Sequence, residues 1–117
     1  MNRPQHIEDP AYHCLREDTP KGFHELISAR PQVDFSHTDL RGVDLRTADL
    51  SKVILKGAYL RDADLRGQDL RHMDLEGCSL KHANIGGMYF PANISPQEIA
   101  NSVQYGTRIR TSREMVS

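Results

Sequence analysis

From Val33 to Phe90 a large apolar residue recurs at every fifth position: Phe35, Leu40, Leu45, Leu50, Leu55, Leu60, Leu65, Leu70, Leu75, Leu80, Ile85 and Phe90, twelve units without a miss. Five is neither the helical period of 3.6 nor the strand period of 2. Two residues before each of these lies Val33, Thr38, Val43, Ala48, Val53, Ala58, Ala63, Gln68, Met73, Cys78, Ala83 or Met88, a set that is mostly small or apolar. In extended chain, residues two apart face the same way, so the small residue and the large one point inward together and the residue between them, mostly Asp or Asn, points out. The next small residue lies three positions on, an odd number, and a straight strand would turn it outward. The backbone must therefore bend once per unit. Bending about a quarter turn each time brings the chain back after roughly 20 residues, and stacking such loops at about 4.8 Å pairs their backbones. Twelve units predict about three coils, a stack about 14 Å tall.

The units "VDLRT", "ADLSK", "ADLRG" and "ANIGG" resemble the pentapeptide-repeat family, whose motif is A(D/N)LXX, and the likeness covers residues 33–92. It implies an all-β fold, a right-handed quadrilateral parallel β-helix with the leucine and the small residue inside. It implies no single activity, because the family includes topoisomerase-protecting proteins and secreted effectors. Departures from the motif fall at Ile54, Tyr59, Ser79 and Tyr89 in the Asp/Asn slot and at Gln68 and Met73 in the small slot. An inward Gln68 needs a hydrogen-bond partner, or it costs about 1 to 3 kcal/mol.

Open ends of such a stack expose unpaired backbone and apolar side chains, so both flanks are expected to be covers. Residues 1–32 form an N-terminal helical cap, 33–92 the repeat and 93–117 a C-terminal capping helix with a basic tail. Asp9 before Pro10 and Thr19 before Pro20 read as two helix starts. Tyr12 with Leu15, and Phe23 with Ile27, supply their apolar faces near Phe35. At the other end Ser95 and Glu98 make a capping box, Pro96 takes the first helical position, Ile94 and Ile99 form a staple and Gly106 is the stop. Ile99 and Val103 then face the last coil near Phe90. Beyond it, Arg108, Arg110 and Arg113 stand in a stretch expected to be mobile. "YFPANISPQEIANSVQYGTRIR" also resembles the tail of small bacterial pentapeptide-repeat proteins.

Chemistry-bearing motifs are sparse. His6, His13, His24, His37, His72 and His82 show no HExxH or HxH spacing, so no metal site is expected. No nucleophile elbow, P-loop or dinucleotide fingerprint occurs, so neither catalytic residues nor a cofactor are assigned. Asp34, Asp39, Asp44, Asp49, Asp64, Asp69 and Asp74 repeat at one slot of a structural unit and are read as binding neighbouring amides or arginines rather than as acid/base pairs. Cys78 sits in the small inward slot, where a thiol is a compact hydrophobe. Cys14 and Cys78 are the only cysteines. With no signal-like start and no run of 18 apolar residues, the expected location is cytoplasmic and off the membrane.

With 15 Lys and Arg against 16 Asp and Glu, no polyanionic or polycationic partner follows from net charge. The 20-residue return places Arg41, Arg61 and Lys81 in one column and Arg46 and Arg66 in the next. Ile54 and Tyr59 fall on adjacent faces of the middle coil. Arg41, Ile54, Tyr59, Arg61 and Lys81 are therefore the candidate docking surface for an unidentified protein partner, the bland alternative being tolerated surface variation. The function expected is a non-enzymatic interaction module. The alternative drawn from the family resemblance is a DNA mimic acting on DNA gyrase, giving fluoroquinolone protection. Mimicry asks for a long acidic rod, whereas the repeats hold nine acidic and eight basic residues. Direct nucleic-acid binding lacks an aromatic stacking platform. Neither the partner's identity nor the oligomeric state is readable.

Overall fold

The computed structural model describes residues 3–112. Helices α1 (Pro10–Arg16) and α2 (Pro20–Ile27) lead into the two-residue strands β1 (Val33–Asp34) and β2 (Val53–Ile54), and α3 (Pro96–Tyr105) follows the repeat. The strands pair in parallel with Val33 opposite Val53, and single parallel bridges continue the same offset: Asp39 with Tyr59, Tyr59 with Ser79, Asp44 with Asp64, Asp64 with Asn84, and Asp69 with Tyr89. The chain thus returns beside itself every 20 residues, the interval that a bend every fifth residue requires. Continuous strand is nonetheless minimal, because each side runs only a few residues before the next bend. An all-β class describes the pairing better than it describes the secondary structure, in which helical residues outnumber those in strands.

The inward set is as the spacing demands. Leu45, Leu50 and Leu55 are buried, as are Leu60, Leu65, Leu70, Leu75 and Leu80, and they form one core with Val33, Val43, Val53, Ala58, Ala63 and Cys78. Each fully buried leucine contributes about 1.5 to 3 kcal/mol. The bend falls at the fifth position of the unit, where His37, Gly42, Gly57, Asp62, Gly67, Gly77, His82 and Gly87 all have φ between 58° and 78°. At Gly57 a side chain is also excluded by space, since an added Cβ would lie 2.3 Å from His37 Nδ1.

The N-terminal elements close the first turn of the stack. Tyr12 and Phe23 are fully buried and pack on Phe35, with the Tyr12 and Phe35 ring centroids 5.8 Å apart, edge to face. The Tyr12 hydroxyl donates to the Asp39 carbonyl at 2.6 Å, and Gln5 extends the ladder by pairing in parallel with Thr38. Asp9 caps α1 through the Ala11 amide at 2.9 Å. Thr19 does not cap α2: its hydroxyl donates back to the Cys14 carbonyl, tying the two helices together.

At the C-terminal end Ser95 accepts from the Glu98 amide, and Gly106 ends α3 with φ 79°. The capping box is only half formed. The Glu98 carboxylate instead accepts from the Arg110 amide and guanidinium, because residues after the helix return beneath it. Mobility was expected there, yet Ile109 is fully buried and its amide donates to Cys78 O, while Gly77 N donates to Ile109 O. A short segment, residues 107–112, therefore runs antiparallel along the last turn, with Ser79 opposite Arg108. The buried Ile109 side chain, the ladder bonds beside it and the bonds from Thr111 to Glu76 and from Arg108 to Gly77 O hold it there. Arg113 lies outside the described residues. Ile85, Met88, Phe90, Ile99 and Val103 remain only partly buried at this end.

Candidate functional site

The repeated carboxylates are staples. The side chains of Asp34, Asp39, Asp44, Asp49, Asp64, Asp69 and Asp74 each accept the amide two residues on, at 2.9 to 3.2 Å. Where that residue is arginine, at Arg41, Arg46, Arg66 and Arg71, the guanidinium also grips the same carboxylate through Nε and an Nη. These bonds hold Asp44 and Asp69 down at about 2. Asp39, which is almost fully buried and bound by Arg41 with His6 3.1 Å away, is held well below the ordinary carboxylate range. A carboxylate so engaged is a poor general base. Cys78 is equally inert: burial pushes its thiol up to about 12, and its Sγ donates to the Leu55 carbonyl. Among the described residues no group of three or more His, Cys, Asp or Glu side chains is placed to hold a metal ion, and no helix is long and apolar enough to cross a membrane.

The candidate docking residues lie in three places. Arg41 and Arg61 share one face, where they line a depression with Arg16, Asp39 and Asp62. The ladder bonds from Gly42 N to Arg61 O and from Asp62 N to Lys81 O carry the column on to Lys81. The Lys81 side chain packs against Gly106 at the end of α3. Tyr59 lies beneath Arg108, whose guanidinium stacks 5.0 Å from the ring centroid and donates to the phenol oxygen. Ile54 stands apart from all of these, in a cleft.

That cleft is a gap in the backbone ladder. Over much of the repeat the register holds: Leu40, Leu60 and Leu70 donate to Tyr59 O, Ser79 O and Tyr89 O, each at 2.9 Å. Gly42 and Asp62 donate to Arg61 O and Lys81 O, Leu45 and Leu65 to Asp64 O and Asn84 O, and Asp64 and Asn84 to Val43 O and Ala63 O. Carried one unit along, the register pairs Leu50 N with Asp69 O, Lys52 N with Arg71 O, Leu55 N with Asp74 O and Asp74 N with Val53 O. None of these four bonds is present among the described residues. The opening has a volume of about 340 Å³, with Leu50, Ser51, Lys52, Val53 and Ile54 on one wall and Asp69, His72, Met73 and Asp74 on the other.

Met73 lines the opening, and Gln68 stands immediately before Asp69, where its second wall begins. Both put a long side chain where other units carry a small one, and the Gln68 carboxamide donates to Leu45 O at 2.6 Å and Ala48 O at 2.8 Å. The partner required of an inward Gln68 is therefore found, and it consists of backbone carbonyls that face the ladder. Sequence reading singled out Gln68, Met73 and Ile54 as separate departures; that Ile54 and Met73 face each other across one opening, with Gln68 beside it, was the signal it missed.

A family model described as pentapeptide repeats, in 8 copies, matches residues 32–67 and 58–90. No curated protein and no solved structure matches the chain.

Proposed function

Because the chain belongs to the pentapeptide-repeat family, we propose that it acts as a small rigid protein–protein interaction module with no catalysis of its own. The observation that carries this reading is the use of every repeat-slot aspartate as a staple for its own turn, four of them locked by an arginine. Side chains held this way make fixed faces, and fixed faces bind with little ordering cost. We read the 20-residue return as one coil of a right-handed quadrilateral β-helix, about three coils over residues 33–92, with helical covers at both ends. The docking residues we assign are Arg41, Ile54, Tyr59, Arg61 and Lys81, spread over three places rather than one surface, and the location is the cytoplasm, a reading supported by two cysteines that are both free thiols.

Affinity capture from the native cell, comparing the full chain with an Ile54→Ala/Tyr59→Ala variant shown to be folded by circular dichroism, tests the reading. A partner retained by the first and lost by the second is expected; a partner that holds both equally moves the docking surface elsewhere. Gyrase modulation finds little support in a body of 36 × 30 × 30 Å in which arginines grip four of the repeat-slot aspartates. A supercoiling assay with added protein is expected to show no inhibition and no drug protection.

A further inference from the structure

The gap between Leu50–Ile54 and Asp69–Asp74 leaves main-chain groups on both walls without partners among the described residues. On the first wall these are the N–H groups of Leu50, Lys52 and Leu55 and the carbonyl of Val53; on the second, the carbonyls of Asp69, Arg71 and Asp74 and the N–H of Asp74. Leu50 with Lys52, and Asp69 with Arg71, stand two residues apart, which is the spacing at which a strand presents one edge. Such groups demand hydrogen bonds, from water or from a ligand. A small ligand meets one or two of them, whereas extended main chain offers donors and acceptors in the same alternation. Pro31, Leu50, Val53, Ile54 and Met73 make the apolar part of the lining.

Charge narrows the occupant further. Lys52 is already engaged, its Nζ donating to Ile27 O at 3.1 Å and Ser28 O at 3.3 Å. Asp69 is gripped by Arg71. The Asp74 carboxylate accepts only the Glu76 amide, and no cation pairs with it among the described residues. Of the two carboxylates in the lining, Asp74 is therefore the one that no cation grips among the described residues.

We propose that this cleft is a peptide-binding site that takes an extended segment of a partner protein, paired through main-chain hydrogen bonds, with an apolar side chain against Leu50, Val53 and Met73 and a basic one on Asp74. The proposal rests on the interaction-module reading and names the chemistry of the partner. Gln68 sets the opening, since its carboxamide occupies the Leu45 and Ala48 carbonyls and keeps a long side chain in a small slot.

The test is nuclear magnetic resonance on the 15N-labelled full chain with a capped pentapeptide, Thr-Val-Arg-Val-Thr, as probe. In the free protein the amides of Leu50, Lys52, Leu55 and Asp74 are expected to exchange faster than those of Leu40 and Leu60. Added peptide slows them and shifts their resonances. Methylating both valine nitrogens removes main-chain donors while keeping the side chains, and is expected to weaken binding about tenfold or more. Asp74→Asn, which keeps the turn bond and loses the charge, weakens it at low salt. Gln68→Ala, folded as judged by circular dichroism, closes the ladder and abolishes it. Protection of the four amides without peptide, shifts confined to another face, or equal affinity for the methylated peptide overturns the proposal. These results leave the affinity-capture test untouched, so a partner captured through another face separates failure of the cleft from failure of the module reading.

Discussion

Arg108 lies across Tyr59, 49 residues earlier in the chain, and binds it twice, through the ring face and through the phenol oxygen. The contact joins the segment after α3 to the middle of the repeat. Replacing Arg108 by Ala removes a partly desolvated cation–π contact and hydrogen bonds to Tyr59 and the Gly77 carbonyl. A loss of about 1 to 2 kcal/mol in urea unfolding is expected. The Ile109 amide should lose exchange protection before the amides of Leu40 and Leu45 do. Unchanged stability and unchanged Ile109 protection would show that burial of Ile109 alone holds the segment.

Gln68 allows a test of the ladder gap that needs no ligand. Gln68→Leu keeps a long side chain and leaves the Leu45 and Ala48 carbonyls without their donor, at a cost of about 1 to 3 kcal/mol. Gln68→Ala restores a small residue and lets the backbone pair across the gap, so it should cost less than Gln68→Leu although it deletes more atoms. Equilibrium denaturation of the two variants decides the order. The reverse order would mean that packing, not hydrogen bonding, governs the position.

Acid should unfold the protein through its turn staples. Asp34, Asp39, Asp44, Asp49, Asp64 and Asp69 all have folded values below the ordinary aspartate value of 3.8, the first-ranked cause being a side-chain or backbone hydrogen bond in each case. Groups depressed on folding add stability that is complete above the unfolded value and is lost as pH falls through the folded one. The thermal midpoint is therefore expected to hold near neutrality and to fall between pH 3.8 and about 2. Asp39→Asn, which removes the most buried of these charges, should flatten that slope.

The two thiols should separate cleanly. Cys78 is buried with its thiol pushed up to about 12, whereas Cys14 is partly exposed between α1 and α2. Mass spectrometry after brief alkylation of the native protein at pH 8 is expected to find the label on Cys14, and on Cys78 only once the chain is unfolded in urea. Prompt labelling of Cys78 would contradict a closed core at Leu55.

The five-residue spacing determined the inward set, the 20-residue return and the outward place of the aspartates, because each follows from local backbone geometry and a single buried stripe. Helix starts at Asp9 and Ser95 and the stop at Gly106 were legible for the same reason: capping is settled within one turn of chain. Tertiary structure alone decided the rest. Glu98 bonds Arg110 rather than completing its own cap, Arg108 covers Tyr59, and Ile109 anchors residues expected to be mobile, since each choice depends on which distant group happens to arrive. The cleft belongs to this second kind. Gln68 and Met73 were visible as oversized inward residues, but whether a stack absorbs such a residue or parts around it is settled by the carbonyls 20 residues away, and those are brought within reach only by the winding of the chain.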